Sequence, residues 1–309
     1  MTEAIRLQGL TKAYGSLRAL DRVDLEVPQG AVFGFLGPNG AGKTTTLRIL
    51  AGLARPTSGR AEVLGHDVVS ASNSVRQMMG FLPDVPGFYP WMTAREMLEF
   101  SGRLFGLSGK TLDDRVAALL DLAGLAGVKA RLGGYSRGMR QRLGVAQALI
   151  NAPRLLMLDE PTSALDPIGR KAVLDMVMSL AGRTTVFFST HILSDVERVC
   201  ESVAILHRGQ VAAHARIAEL KARYGVQKIA IDLVGSIEEA VTEFRRAPWA
   251  TDVQLAPNQR IELTISDISA AERAIPSIAA ACDVGIRRLE AVEVSLEDVF
   301  VDLVGGEGG

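Results

Sequence analysis

Through the first two thirds of the chain, short apolar runs alternate with longer stretches in which apolar residues recur every three or four positions. The runs Ala31–Leu36, Leu155–Leu158 and Thr185–Ser189 are dominated by apolar and β-branched side chains, which predicts strands buried on both faces of a parallel sheet. Thr44–Ala54 and Arg170–Leu180 carry helical spacing. Between Thr93 and Gln147 there is almost no strand signal and abundant three-to-four spacing, so this stretch predicts a helical insert between strands. Val203–Leu206 and Gln210–His214 flank His207-Arg208-Gly209 and predict a hairpin turning at Gly209. Such alternation is that of an α/β domain.

After an amphipathic connecting segment, Arg216–Tyr224, the pattern restarts. Lys228–Leu233 predicts a strand, Ser236–Arg246 a helix, and Asp252–Leu255 and Arg260–Ile265 two strands. Ser269–Ala281 then predicts a helix and Gly285–Val294 a strand, an order βαββαβ that matches a ferredoxin-like α+β sandwich. Leu296–Leu303 adds a short helix. The expected organisation is residues 1–222 with a helical subdomain at about 85–147, an accessory domain at 226–304, and a flexible tail at 305–309.

Charge narrows the function classes. With 34 Lys+Arg against 35 Asp+Glu the net is -1, which excludes the strongly basic footprint of a duplex-coating protein, and no nucleic-acid partner is expected. The longest stretch free of charge, Val27–Gly42, is broken by Pro28, Pro38 and glycines and falls short of the ~18 apolar residues of a membrane helix. The opening MTEAIRLQGL lacks the basic-then-apolar order of a secretory signal. Cys200 and Cys282 lie far apart without metal-ligand spacing, which predicts a reduced, intracellular protein. Residues 226–304 hold no His or Met, which argues against a soft-metal sensor, and Glu238, Glu239, Glu290, Glu293 and Glu297 read as solvated faces.

Two motifs carry chemistry. Gly37-Pro38-Asn39-Gly40-Ala41-Gly42-Lys43-Thr44 fits G-x-x-x-x-G-K-[ST], and it lies where it should, after a predicted strand and opening a helix. Glycines there let backbone N–H groups converge on phosphate oxygens at the positive end of a helix. Residues Gly37 to Thr44, with Thr45, are the candidate nucleotide cradle; Lys43 faces the β- and γ-phosphates and Thr44 offers its hydroxyl to Mg²⁺. The second motif, Leu155-Leu156-Met157-Leu158-Asp159-Glu160, ends an apolar strand in two carboxylates, where doubly wound sheets place ligand sites. Asp159 is the candidate for the Mg²⁺ shell and Glu160 for polarising the attacking water.

These motifs, followed in order by Tyr135-Ser136-Arg137-Gly138-Met139-Arg140-Gln141-Arg142, by Leu158-Asp159-Glu160-Pro161-Thr162-Ser163-Ala164-Leu165-Asp166 and by Ser189-Thr190-His191, resemble the ATP-binding subunit of an ABC transporter, in the form found among type-2 drug, lipid and polysaccharide exporters. The resemblance spans residues 3 to about 220. It implies a P-loop ATPase domain that uses ATP and Mg²⁺. It also implies that Ser136 and Gly138, in the signature stretch, touch the γ-phosphate held by a second subunit's loop. Asp166 would lie at the subunit interface, and His191 would sense the γ-phosphate beside Glu160. Tyr14 matches the adenine-stacking aromatic; the alternative is a strand-end aromatic packed on its sheet. Arg137 and Met139 depart from the usual signature, Arg137 adding positive charge near the phosphate. Asp84, in Phe81-Leu82-Pro83-Asp84, stands where the family has a longer Gln or Glu, and is a candidate for the metal and water site.

Phe88, Tyr89, Trp91 and Met92 follow directly. Pro86, Gly87 and Pro90 keep this segment out of a regular element, so it reads as a protein contact rather than core. The resemblance places a separate transmembrane permease at Asp84–Met92 and the helical subdomain, at the cytoplasmic face of the membrane. Ser295-Leu296-Glu297-Asp298-Val299-Phe300 resembles the closing helix of such exporters, implying packing between subunits or back on the ATPase domain; a small regulatory ligand site is the alternative. The expected function is a Mg²⁺-dependent ATPase whose ATP-driven dimer, a homodimer by preference, drives export. A soluble or regulatory ABC ATPase, serving signalling or nucleic-acid and ribosome work, is the alternative.

Overall fold

The computed structural model describes residues 3–224, 227–256, 260–292 and 295–305. Its contacts divide the chain into one unit ending at Ile217 and another beginning at Ala218.

The first unit contains two sheets. Strands β1 (Glu3–Tyr14) and β2 (Leu17–Pro28) form a long hairpin turned by Gly15, and β4 (Ser58–Val63) and β5 (His66–Asp67) extend it in the order β2-β1-β4-β5, all antiparallel. Ile5, Leu7 and Leu10 of β1 turn inward while Arg6 and Gln8 are partly or fully open to solvent. This layer was not anticipated: its alternation is interrupted by register shifts along both pairings of β1. The second sheet, ordered β10-β9-β3-β8-β7-β6, has five parallel strands and an antiparallel edge. They are β3 (Val32–Leu36), β6 (Met79–Leu82), β7 (Leu155–Asp159), β8 (Thr185–Thr190), β9 (Ser202–His207) and β10 (Gln210–Arg216). Every residue of β3, β7 and β8 is buried, as their apolar runs predict.

Helix α1 (Lys43–Leu50) follows β3 and ends four residues short of the expected Ala54, because Gly52 takes a left-handed conformation. Helix α2 (Ser72–Met78) leads into β6. The insert is helical as expected: α3 (Ala94–Leu104), α4 (Gly109–Leu122) and α5 (Arg137–Ala148). Thr93 opens α3 with a capping box, its side chain accepting from the Glu96 N–H while the Glu96 carboxylate accepts from the Thr93 N–H. Helix α6 (Pro167–Ser179) starts three residues before the expected Arg170, since Pro167 at its first position and the Asp166 cap set the boundary. Helix α7 (Leu193–Val199) completes the unit, and the β9–β10 hairpin does turn at Arg208-Gly209.

The second unit opens within the connecting helix α8 (Ile217–Tyr224). It contains β11 (Gln227–Val234), α9 (Glu238–Arg246), β12 (Ala250–Ala256), β13 (Arg260–Ile265), α10 (Ile268–Ala281), β14 (Gly285–Val292) and α11 (Leu296–Gly305). The sheet is antiparallel in the order β12-β13-β11-β14, the ferredoxin-like arrangement. Ile229, Ile231, Ile261 and Leu263 meet Phe244 of α9 and Ile275 of α10 in its core. Glu290 is not a free solvated face: it pairs with Arg260 and Arg288, both at 2.5 Å, which hold its carboxyl below the ordinary range. Glu293, the end of the strand expected to reach Val294, and the tail beyond Gly305 lie outside the described residues.

Candidate active site

The phosphate-loop geometry is forced by sterics. Gly42 has φ +111, and a Cβ there would stand 2.6 Å from the Ala19 carbonyl oxygen of β2. A Cβ on Gly37 would stand 2.4 Å from the Leu206 carbonyl oxygen of β9. Only glycine passes between these backbones. Behind the loop, the Gly209 N–H donates to Ala41 O at 3.0 Å and the Asp21 N–H donates to Gly209 O at 2.9 Å, so β2 and the hairpin turn brace it. Helix α1 begins at Lys43 with no side-chain cap and no acidic residue in its first turn. Its leading N–H groups and positive dipole end are thereby available to an anion.

Lys43 is 6 % exposed, and its ammonium donates to Gly37 O at 2.6 Å and Pro38 O at 3.3 Å while pairing with Glu160 Oε1 at 3.2 Å. The other Glu160 oxygen, Oε2, meets His191 Nδ1 at 2.8 Å. The residues expected to act on the γ-phosphate thus form one chain, Lys43–Glu160–His191, although they come from α1, the end of β7 and the end of β8. Glu160 takes φ +48, a costly conformation for a carboxylate residue, and its N–H is fixed to Ser189 O at 2.9 Å.

Asp159, the last residue of β7, is 1 % exposed. Burial pushes its carboxyl above the ordinary range; hydrogen bonds from Thr44 and Ser189 pull partly back, and the charges of Glu160 and Asp84 push it further up. A carboxylate so desolvated, next to a threonine hydroxyl and two more acids, suits a hard divalent cation, which needs only one or two protein ligands when phosphates and waters supply the rest. Among the described residues, no cluster of three or more His, Cys, Asp or Glu forms a self-sufficient metal cage. Asp84 is exposed and, among the described residues, makes no hydrogen bond or ion pair; its charge acts on Asp159.

Other candidates lie apart from this cluster. Tyr14 is 48 % exposed at the tip of the β1–β2 hairpin, with the Lys12 ammonium 4.7 Å from its ring centre. Pro38 is half-buried, Asn39 and Gly40 are exposed, and Thr45 is half-buried in the first turn of α1. Ser136 caps α5, accepting from the Met139 N–H at 3.2 Å, and is exposed; Gly138 packs beside Gly169 of α6. No hydrogen bond joins either to the phosphate loop among the described residues. Asp166 caps α6 through Gly169 N–H at 2.8 Å. The sequence did not single out Asp195, a buried carboxylate on α7, or its partners Thr162 and Arg170; an aspartate in a polar helical stretch carries no signal that it faces inward.

Comparison with known proteins bears on the whole chain. Residues 20–163 match the ABC transporter family, and residues 216–304 match the C-terminal domain of DrrA1-3-like ATP-binding proteins. The daunorubicin/doxorubicin resistance ATP-binding protein of Streptomyces peucetius is 36% identical over 308 residues, 98% of this chain and 93% of that protein. The chain belongs to the ABC transporter ATP-binding proteins. The bacitracin transport ATP-binding protein of Bacillus licheniformis is 42% identical over 226 residues, 72% of this chain and 73% of that one. Among solved structures, a dimeric post-hydrolysis ATP-binding cassette bound to ADP and phosphate aligns with TM-score 0.63 at 26% identity, covering 69% of this chain and 98% of that one. The first unit is therefore an ABC ATPase that binds and hydrolyses ATP, and the protein is an exporter-type transporter subunit. Among the described residues, no helix is long and apolar enough to cross a membrane.

Proposed function

We propose that this chain hydrolyses ATP with Glu160 as the residue that orients and deprotonates water, His191 as the γ-phosphate sensor that holds Glu160, and Lys43 as the cation for the β- and γ-phosphates. The observation that carries this reading is the continuous Lys43–Glu160–His191 chain at 3.2 and 2.8 Å, directly in front of α1. An entering triphosphate competes for the Lys43 ammonium and releases one Glu160 oxygen for water, while His191 keeps the other. Thr44 and Asp159 are the residues that would hold Mg²⁺, with Asp84 adding negative charge beyond them. Bound there, the ion would neutralise charge building on the phosphate oxygens.

Among the described residues Ser136 bonds only within α5 and Gly138 lies beside Gly169, which leaves both available to a second subunit, and the dimeric relative bound to ADP and phosphate supports a closed pair. Asp166, capping α6, would lie at that interface. A separate membrane permease would dock at the inner, cytoplasmic face. Tyr89 and Trp91, 43 % and 60 % exposed with ring centres 5.1 Å apart, and Phe100 against Tyr89 form an exposed aromatic cluster. Separately, Pro86, Gly87 and the exposed Leu104 and Phe105 help line a groove of about 310 Å³ between β6 and α5, which would fit an apolar partner helix. The resistance and transport relatives support an export direction. Replacing Glu160 with Gln and following ATP binding, dimer formation and hydrolysis separately tests the reading. Binding and dimerisation with collapsed turnover support it; hydrolysis near the parent rate removes Glu160 from its role.

A further inference from the structure

Asp195 is 1 % exposed, and both of its oxygens are engaged. The hydroxyl of Thr162, itself 1 % exposed, donates to Oδ2 at 2.6 Å, and Arg170 Nε donates to Oδ1 at 2.6 Å. The same guanidinium donates through Nη2 to Ser194 Oγ at 2.8 Å. A buried carboxylate is costly unless it is paired and hydrogen-bonded, and this one is satisfied from two directions by residues distant in sequence. Thr162 lies two residues beyond Glu160, whereas Asp195 lies four residues beyond His191. Arg170 ties Asp195, and through it Thr162, to α6.

We infer that Thr162, Asp195 and Arg170 form a positioning clamp that sets the geometry of the Glu160–His191 pair. The turn following β7 contains two non-glycine residues in the left-handed region, Glu160 at φ +48 and Ala164 at φ +52. Such conformations persist only where the surroundings over-determine them. Within the turn, the Ser163 N–H donates to Glu160 O at 3.1 Å and the Leu165 N–H to Thr162 O at 3.3 Å. On one side Glu160 N–H is anchored to Ser189 of β8 at 2.9 Å; on the other, Thr162 is anchored to α7. His191 leaves β8 between these anchors, and the Ile192 N–H donates to the Thr190 hydroxyl at 3.0 Å. Each end of the clamp therefore holds a segment bearing one member of the pair. None of the three clamp residues touches the reacting atoms. They act through Glu160 and His191, so the inference rests on the hydrolytic roles proposed for that pair.

The test uses the full-length chain. Thr162→Val keeps the shape and removes the hydroxyl, and Thr162→Ser restores it. With Thr162→Val, kcat falls about tenfold or more while the equilibrium Kd for ATP changes less than about threefold, and Thr162→Ser recovers most of the rate. Combined with His191→Ala, Thr162→Val adds less than about threefold to the single loss, because both act on one pair. A parent-like kcat in Thr162→Val overturns the clamp, as does a rate loss matched by weakened ATP binding, or full multiplication of the two losses. If Thr162→Val does not fold, Arg170→Lys is the second variant: it keeps the charge but cannot span Asp195 and Ser194 with a planar fork, and the same criteria apply. Glu160→Gln separates the two levels. If that variant hydrolyses ATP at the parent rate, the assignment of the pair fails; if it is inactive while Thr162→Val is unaffected, only the clamp fails.

Discussion

Lys43 and Glu160 form a buried ion pair at 3.2 Å, with 6 % and 12 % of their side chains exposed. The pair closes the phosphate loop on itself: one ammonium satisfies two loop carbonyls and the carboxylate that faces them. Neither charge is left alone in a desolvated pocket, and a polyphosphate arriving at α1 exchanges one anionic partner for another rather than desolvating a free lysine.

Glu160→Gln should weaken that pairing without removing the amide's hydrogen-bonding capacity. ATP binds as well as or better than in the parent, and ATP-dependent dimers accumulate on size-exclusion chromatography. Turnover falls on the order of 100-fold or more, as loss of a positioned general base requires. A phosphate-release assay run alongside the sizing experiment reads both outcomes.

Lys43→Ala acts at the other end. It leaves Glu160 buried without its cation and removes the charged donor for phosphate. A hydrogen bond to a charged group contributes about 1.5–3 kcal/mol, so ATP affinity falls roughly ten- to hundredfold. Titration with a fluorescent nucleotide checks this directly, and an unchanged Kd would show that the ammonium does not bind phosphate.

Asp159 supplies a pH test. Its folded carboxyl is raised, chiefly by burial, so between the ordinary carboxylate range and the raised value the folded chain keeps a proton that the unfolded chain gives up. Stability therefore falls as pH climbs through that window and stays lower above it. Asp159→Asn removes the penalty: without nucleotide it melts at a higher temperature than the parent near neutral pH, and the gap narrows as pH falls towards about 4. With Mg²⁺ and ATP the order reverses, because the carboxylate rather than the amide suits the cation. Thermal melts across pH, with and without Mg²⁺-ATP, record both signs.

Trp91→Ala changes a side chain that is 60 % exposed, so its effect on stability stays within about 0.5 kcal/mol. Co-purification with the membrane permease is nonetheless expected to drop several-fold. Equal recovery of the permease would move the docking surface elsewhere.

The fully buried strands and the phosphate loop were legible because their patterns are locally complete: β3, β7 and β8 are apolar throughout, and a glycine-rich strand-to-helix turn carries its own geometry. The antiparallel layer of β1, β2, β4 and β5 was not, since shifts such as those between Leu7 and Leu10 break the two-residue period. Of the Lys43–Glu160–His191 chain, the resemblance put His191 beside Glu160, whereas the Lys43–Glu160 ion pair was not foreseen, because contact among strand ends depends on sheet order. Asp195 was hidden for a related reason: what buries it is supplied by α6 and by the turn after β7, neither of which its own helix encodes.

The bracing of the phosphate loop by Gly209 limits how short a nucleotide-binding fragment can be. Residues 20–163 suffice to match the family, but a fragment cut there would lose β8 to β10, and with them His191, the Ser189 carbonyl that fixes Glu160, and the turn that supports Ala41 from behind. It would keep the recognisable signature of an ATPase while lacking the backbone that gives the loop its shape. The working boundary falls no earlier than Arg216, where β10 ends and the chain begins its course towards the second unit.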